Sequence, residues 1–309
     1  MEEAITKNSR KSGGGKPNII LYGTFLPLTK QILAKIIGYL SQYCQIQIFL
    51  LYKNDDKIDK KIRYQWLTNN LNGLTEIKIT TLKLADWKLS KYQSSGNIIV
   101  NLDKFSEIDS QTFFQNPLKC YNYLPNSIRS YFHKKVLLIG TESTGKTTLA
   151  IKLARFYNTE YVPEIGRYIS ERVGDTMEMT ADNYVEILLK HSLEFKTRNE
   201  AANKIIFADT DCIDTLFWYE VTFPKINQTI KNISLALRET YDTIIYLHPT
   251  NQWIADNIRQ FGKNRHWHNQ KLLQMIKKAY PNSPIYELSG SYNENYQKAL
   301  SIVKKLLTP

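Results

Sequence analysis

Residues 140–147 read GTESTGKT, and this stretch decides the fold expected for the second half of the 309-residue chain. It matches G-x-x-x-x-G-K-[ST], and the apolar run at 136–139 before it is typical of a buried strand. Residues 148–154 continue with helical apolar spacing. A strand, a glycine-rich loop and a helix in this order cradle nucleotide phosphates, because loop N–H groups and the positive helix end face the anion.

Side-chain chemistry assigns expected roles within this loop. Lys146 is expected to reach the β and γ phosphates of ATP, and the Thr147 hydroxyl is expected to bind Mg²⁺. The residues expected to bind the nucleotide are Gly140, Glu142, Ser143, Thr144, Gly145, Lys146, Thr147 and Thr148.

The composition is that of an ordinary globular protein, with 42% hydrophobic residues and enough length for about two domains. The sequence contains no run of 18 or more apolar residues and no basic, apolar leader, so we expect a cytoplasmic protein without membrane insertion. The cysteines Cys44, Cys120 and Cys212 are widely separated, unlike a disulfide framework or a metal cluster. All three are expected to be small core residues.

The formal charge is strongly basic, at +12. The Lys and Arg residues are scattered, however, and only KIDKKIR at 57–63 is dense. We interpret the excess as a solvated, lysine-rich surface that also attracts anionic nucleotides, and no nucleic-acid-binding module is recognised.

Two series of apolar runs predict two α/β domains with parallel sheets. Residues 1–17 are polar and glycine-rich and are expected to form a flexible tail. The first domain is expected at 18–130 and the second at 131–309, with a polar, proline-marked seam before the boundary. The predicted strands are 19–22, 46–51, 77–82 and 98–102, then 136–139, 160–162, 205–208, 243–247 and 285–288, and the first domain has a predicted helix at 30–43.

Two aspartates follow the predicted strand at 205–208. Open α/β sheets bind ligands at the carboxyl ends of their strands, so Asp209 and Asp211 are both candidates to hold Mg²⁺ with Thr147. One of the two could instead bind substrate hydroxyls, and these residues alone leave the choice open.

Together these motifs resemble the bifunctional NadR family, in which a nicotinamide mononucleotide adenylyltransferase domain precedes a ribosylnicotinamide kinase domain. The segment NPLKCYNYLPNSIRSYFHKKVLLIG at 116–140 resembles the family's junction between the two domains. The other matching stretches are GTESTGKTTLA at 140–150, VPEIGRYI at 162–169, IIFADTDCIDT at 205–215 and WIADNIRQFG at 253–262.

In the second domain the resemblance implies the parts of a phosphoryl-transfer enzyme. Glu164 is expected to be the general base for the substrate 5′-hydroxyl, with Asp209 as the rival, and Arg167 is expected to bind the transferring phosphate or to pair with Glu164. Arg259 and Arg265 lie in a stretch that resembles a lid closing over ATP. Candidates to stack on a nicotinamide ring are Tyr168, Trp218 and Tyr219.

The first domain departs from the family pattern. The loop at 23–32 reads GTFLPLTKQI where the family has G-x-F-x-P-x-H-x-G-H, so Thr29 and Ile32 stand at the histidine positions. The signature I-S-x-T-x-I-R appears at 108–114 as IDSQTFF, with Phe114 at the arginine position. Each lost contact to developing phosphate charge is typically worth about 3 kcal/mol. Adenylyl transfer is therefore expected to be absent or very weak, with Lys30 as a partial substitute.

The function that the resemblance implies is ATP- and Mg²⁺-dependent phosphorylation of nicotinamide riboside to the mononucleotide in NAD salvage. A riboside transporter is the functional partner it suggests. A kinase for another small nucleoside and a nucleotide-binding regulator without useful turnover remain as alternatives, and the sequence leaves the oligomeric state open.

Overall fold

The computed structural model describes residues 18–93, 97–174, 178–225, 227–249 and 265–308. Contacts between Cα atoms divide the chain into two compact units, between Ile128 and Arg129. Each unit contains one parallel sheet accompanied by helices. The α/β class with two parallel-sheet domains, predicted from alternating strand and helix patterns, is confirmed.

The first unit contains a four-stranded sheet of order β3-β2-β1-β4, in which all neighbours pair in parallel. β1, one of its two inner strands, carries a nearly continuous apolar run, as expected for a parallel strand buried on both faces. The strands are β1 (Asn18–Gly23), β2 (Gln45–Tyr52), β3 (Ile77–Lys83) and β4 (Ile98–Asn101). The helices are α1 (Lys30–Leu40), α2 (Lys60–Asn70), α3 (Ser90–Gln93), α4 (Ser110–Gln115) and α5 (Asn126–Arg129).

The second unit contains a five-stranded parallel sheet of order β6-β7-β5-β8-β9. Its strands are β5 (Lys134–Ile139), β6 (Tyr161–Val162), β7 (Ile205–Asp209), β8 (Thr243–Leu247) and β9 (Ile285–Leu288). Its helices are α6 (Lys146–Phe156), α7 (Ile165–Val173), α8 (Ala181–Ala201), α9 (Cys212–Thr222), α10 (Gln228–Ala236), α11 (Arg265–Ala279) and α12 (Tyr292–Leu307).

The core of the second unit is built around β5. All four of its last residues, Val136 to Ile139, have no solvent exposure, and alternate residues enter two clusters on opposite faces of the sheet. Burying four such side chains stabilises the fold by roughly 6–12 kcal/mol before entropy is counted. The strand is therefore a rigid base for the glycine-rich loop that follows it.

The expected strands are confirmed, with shifts of one or two residues at several ends. The helix expected to end at residue 43 ends at Leu40, because the chain turns at Ser41, whose N–H donates to the Tyr39 carbonyl. The expectation that all three cysteines lie in the core is wrong for Cys44, which is exposed just before β2, whereas Cys120 and Cys212 are buried. No helix among the described residues is both long and apolar enough to cross a membrane.

Candidate functional site

The loop between β5 and α6 requires glycine for a steric reason. Gly140 has φ 154°, and a Cβ added there would lie 2.2 Å from the carbonyl oxygen of Leu247 on β8. Gly145 has φ 83°, which L side chains rarely adopt. These two glycines let the backbone curl tightly at the carboxyl end of the sheet, where phosphates bind in such folds.

The start of α6 is open to an external anion. Gly145 occupies the N-cap position, and no side chain caps the helix there. The first-turn N–H groups of a helix need an acceptor, and a phosphate supplies one. Lys146 is 9% exposed, and its Nζ donates to the carbonyl of Thr141 at 3.1 Å. Its ammonium group is therefore held within the loop, in the place expected for a phosphate-binding lysine.

Asp209, the last residue of β7, is completely buried beside this loop. It pairs in register with Leu138 of β5, two residues before Gly140. Neither carboxylate oxygen has a hydrogen-bond partner among the described residues. Burial raises the pKa of Asp209 above its usual range and the charge of Glu164 raises it further, whereas Lys146 and the nearby Thr147 hydroxyl lower it. Thr147 thus lies close to Asp209 without forming a hydrogen bond of good geometry.

A buried carboxylate with two unused oxygens beside a hydroxyl fits a hard cation. Oxygen ligands are those that Mg²⁺ prefers, and a cation would offset the cost of burying the charge. The donor set of Asp209 and Thr147 is therefore compatible with the expected Mg²⁺.

Asp211 is used differently, although it is only two residues further along. Its Oδ1 accepts from the N–H groups of Ile213 and Asp214, both at 3.0 Å, and so caps α9. Its Oδ2 accepts a short hydrogen bond from the Tyr280 hydroxyl. With both oxygens engaged and 2% of the residue exposed, Asp211 caps α9, and of the two aspartates only Asp209 has oxygens without a partner among the described residues.

A pocket extends from the glycine-rich loop along α7, α8 and α9. Glu164, Arg167 and Trp218 are among the residues that line it. Glu164 precedes α7 without capping it, so its carboxylate is not consumed by the helix. Arg167 forms a half-exposed ion pair with Glu171 at 2.8 Å rather than with Glu164. The other lining residues are Glu142, Lys146, Gly166, Ser170, Met179, Tyr184, Ile187, Thr210, Asp214 and Thr215.

The structure separates the three aromatic candidates. Trp218 lines the pocket, Tyr168 is 57% exposed on α7, and Tyr219 is buried against Phe223 at a ring distance of 4.8 Å. The sequence alone does not distinguish these three residues, because their roles depend on which face of each helix meets the pocket. Trp218 is the candidate that the fold supports.

Asp214 was missed by the sequence analysis. It is 4% exposed, lies on the first turn of α9 and lines the pocket. The only available signal was its position five residues after Asp209, in the segment DTDCIDT. Of the remaining candidates, Thr148 is exposed on α6, Arg265 begins α11, and Arg259 lies outside the described residues.

The corresponding loop of the first unit is closed by its own side chains. Thr29 and Ile32, at the expected histidine positions, have no solvent exposure. Thr29 is the N-cap of α1, and its hydroxyl accepts from the Ile32 N–H at 3.3 Å. Asp103 accepts from the backbone N–H groups of Thr24 and Phe25 at 2.7–3.1 Å. The start of α1 thus has a side-chain cap and the loop before it has an internal acceptor, whereas the start of α6 has no side-chain cap.

A family model described as an AAA domain matches residues 135–295, slightly more than half of the chain. The chain belongs to this AAA domain family. The AAA domain match begins one residue into β5 and includes the glycine-rich loop, Glu164, Asp209 and the pocket. It therefore covers the whole candidate site of the second unit.

Two curated relatives carry a more specific name than the AAA domain model. The trifunctional NAD biosynthesis/regulator protein NadR of Salmonella typhimurium (strain LT2) is 27% identical over 207 residues, which cover 66% of this chain and 50% of the relative. The chain is homologous to NadR, as its motifs predicted. It spans about half the length of the curated relatives it matches.

Solved structures of NadR share the fold. A crystal structure of NadR protein in complex with NR aligns with a TM-score of 0.78 and 20% identity, over 96% of this chain and 97% of the other. A structure of NadR protein in complex with NAD and AMP-PNP aligns with the same values. At this identity the likeness shows the fold alone.

Proposed function

We propose that this protein is an ATP-dependent nucleoside kinase that phosphorylates the 5′-hydroxyl of nicotinamide riboside. The observation that carries the proposal is the pocket in which Lys146, Glu164, Arg167 and Trp218 meet. A pocket lined by both a phosphate-loop lysine and an aromatic side chain offers contacts for the phosphoryl group and for the base of a nucleoside substrate.

Each of these pocket residues has a separate role in phosphoryl transfer. Lys146 and the first-turn N–H groups of α6 hold the ATP phosphates, and Arg167 offsets charge on the transferring group. Glu164 orients the attacking hydroxyl and accepts its proton, because its half-buried carboxylate faces the pocket and is not bound by α7. Arg259 and Arg265 stay predicted lid residues.

Asp209 and Thr147 would hold Mg²⁺, since the buried Asp209 carboxylate has no other partner among the described residues. When bound, the ion supplies positive charge to the phosphate oxygens. Assigning Asp209 to the metal leaves Glu164 as the residue that handles the hydroxyl proton.

Nicotinamide riboside is favoured as the substrate by two observations. The chain is homologous to NadR, and a NadR protein with the same fold was crystallised in complex with NR. Apolar and aromatic side chains of Met179, Tyr184, Ile187 and Trp218 line the pocket, as a flat base requires. The cytoplasmic setting and the functional link to a riboside transporter stay predictions.

We also propose that adenylyl transfer is lost. At the two expected histidine positions the chain presents a buried threonine that caps α1 and a buried isoleucine, and neither offers a cation to phosphate. Phe114, at the expected arginine position, carries an aromatic ring 4.8 Å from Lys57 Nζ. Lys30 is exposed at the start of α1 and is the remaining candidate to replace a lost contact.

The test is an assay of purified protein with Mg-ATP and nicotinamide riboside, following ADP, the mononucleotide and NAD by chromatography. We expect equal amounts of ADP and mononucleotide and no NAD. Lys146→Ala should lower kcat by at least about a hundredfold, because it removes charge stabilisation of the transferring group. Arg155→Ala, an exposed cation at the other end of α6, is the matched control and should leave kcat unchanged.

Three results would contradict parts of this proposal. NAD formation would show that the first unit retains adenylyl transfer. Phosphorylation of a different nucleoside in preference to the riboside would keep the kinase and replace the substrate. ATP binding without turnover of any nucleoside would favour the nucleotide-binding regulator.

A further inference from the structure

Asp214 is a buried acidic residue with one unsatisfied carboxyl oxygen. It is 4% exposed, and its Oδ1 has no hydrogen-bond partner among the described residues. Both oxygens of Asp211, one turn earlier, are by contrast satisfied, because they accept hydrogen bonds from two backbone N–H groups and the Tyr280 hydroxyl. An unpaired buried carboxylate costs stability, so its presence in the pocket calls for a ligand that pairs with it.

The charges around Asp214 favour a cation as that ligand. Lys146 from α6 attracts the carboxylate, but Glu164, Asp211 and Asp209 repel it. Burial, followed by these carboxylates, raises the pKa of Asp214 well above its usual range. Tyr246 of β8 also lies within the electrostatic reach of Asp214, and burial together with that negative charge raises the pKa of the Tyr246 hydroxyl.

Trp218 supplies the second half of a site for a flat cation. Asp214 and Trp218 are four residues apart on α9, so they lie on the same helix face, and both line the pocket. An aromatic face attracts a cation, most strongly when water is excluded. The carboxylate and the indole therefore present two complementary attractions to one positively charged ring.

We propose that Asp214 is the residue that selects a substrate with a positively charged base. This inference rests on the proposed nucleoside kinase function and deepens it by naming what recognises the base. The pyridinium ring of nicotinamide riboside packs against Trp218 with its positive charge next to the Asp214 carboxylate. A neutral base leaves that carboxylate without a counter-charge and binds less tightly.

The experiment compares two ribosides that differ in ring charge. Nicotinamide riboside is cationic, and 1,4-dihydronicotinamide riboside has the same ribose and carboxamide on a neutral ring. We measure kcat and KM for both with the full chain, with Asp214→Asn and with the control Asp182→Asn. Asp182 is an exposed residue on the first turn of α8, so its replacement makes the same change in net charge.

The wild-type protein should favour the cationic riboside. Asp214→Asn should raise KM for that riboside by about tenfold or more, as expected for losing a buried charge contact, and leave KM for the neutral riboside within about twofold. The melting temperature of Asp214→Asn should not fall, because Oδ1 of Asp214 has no hydrogen bond to lose among the described residues. If Asp214→Asn fails to fold, Asp214→Ser provides the same comparison.

Two outcomes would overturn the inference while the kinase proposal survives. An equal loss for both ribosides would assign Asp214 to a ribose hydroxyl, and no change for either would remove it from the substrate site. If the wild-type protein phosphorylates neither riboside, the kinase proposal for this substrate fails instead. Calorimetry then compares the dissociation constants of the cation 1-methylnicotinamide and of neutral nicotinamide. Equal affinities would overturn charge recognition. Tighter binding of the cation that is lost in Asp214→Asn would support it.

Discussion

Three aspartates within six residues have three different environments in this chain. Asp209 ends β7 with both oxygens unpaired among the described residues, Asp211 caps α9, and Asp214 lines the pocket. Their burial is similar, so burial does not distinguish them. The three carboxylates are distinguished by the groups that contact them. These contacts predict a loss of activity for replacing one aspartate and a loss of stability for replacing another.

Asp209→Asn and Asp211→Ala should separate activity from stability. Asp209→Asn removes the proposed metal ligand and should lower kcat by at least about a hundredfold without lowering the free energy of unfolding. Asp211→Ala removes a helix cap and strands the buried Tyr280 hydroxyl, which together should cost about 2–4 kcal/mol of stability. Urea unfolding and steady-state kinetics measure the two effects. A large kcat loss in folded Asp211→Ala, at saturating substrate, would return Asp211 to the list of metal ligands.

At the scale of elements, the first turns of two helices distinguish the loop before α1 from the loop before α6. In both units a parallel strand leads through a loop into a helix; β1 ends at Gly23, and Gly140 directly follows the end of β5 at Ile139. Thr29 caps α1 with its own hydroxyl, whereas Gly145 leaves the start of α6 without a side-chain cap. The second loop therefore keeps its backbone donors for a ligand, and it needs glycine to approach β8 closely.

Gly140→Ala and Gly38→Ala test whether that close approach is required. A methyl group at Gly140 would meet the Leu247 carbonyl at 2.2 Å, so this variant should lose ATP binding and destabilise the protein by at least about 2 kcal/mol. Gly38 lies in α1 with nothing within 4 Å of an added Cβ, and alanine there should stabilise by about 1 kcal/mol. Thermal unfolding measures the change in stability of each variant. The shift of the melting temperature on adding Mg-AMP-PNP measures whether the variant still binds the nucleotide. Normal ATP binding by Gly140→Ala would contradict the steric argument.

At the scale of the whole molecule, the two units with parallel sheets differ in the side chains at their loops. The second unit has Lys146 and Glu164 in one pocket and the buried Asp209 at the end of β7, whereas the first presents buried Thr29 and Ile32 at its corresponding loop. A net charge of +12 is expected to attract anionic nucleotides to the chain as a whole, but attraction at long range does not create a site. Nucleotide binding should therefore be confined to the second unit.

Hydrogen exchange with Mg-AMP-PNP tests this confinement. We expect slower amide exchange in residues 140–150 and no change in residues 23–32, because only the first of these loops keeps backbone donors for phosphate. Lys146→Ala should remove the protection. Protection of residues 23–32 that persists in Lys146→Ala would show that the first unit still binds nucleotide.

The sequence by itself determined the α/β class, the strands, the phosphate loop and the homology to NadR. These are local signals: apolar runs, glycine spacing and short motifs are complete within a few consecutive residues. Phosphate-loop roles for Lys146 and Thr147 could be predicted for the same reason, since the motif carries its own geometry.

Only the tertiary structure decided the roles of individual side chains that depend on distant partners. Tyr280, 69 residues away, engages Asp211 and thereby distinguishes it from Asp209. The packing of α9 turned Trp218 and Asp214 toward the pocket and Tyr219 into the core. A carboxylate acts as a cap, a metal ligand or a substrate contact according to which donors and charges the fold brings to it, and sequence spacing does not contain that information.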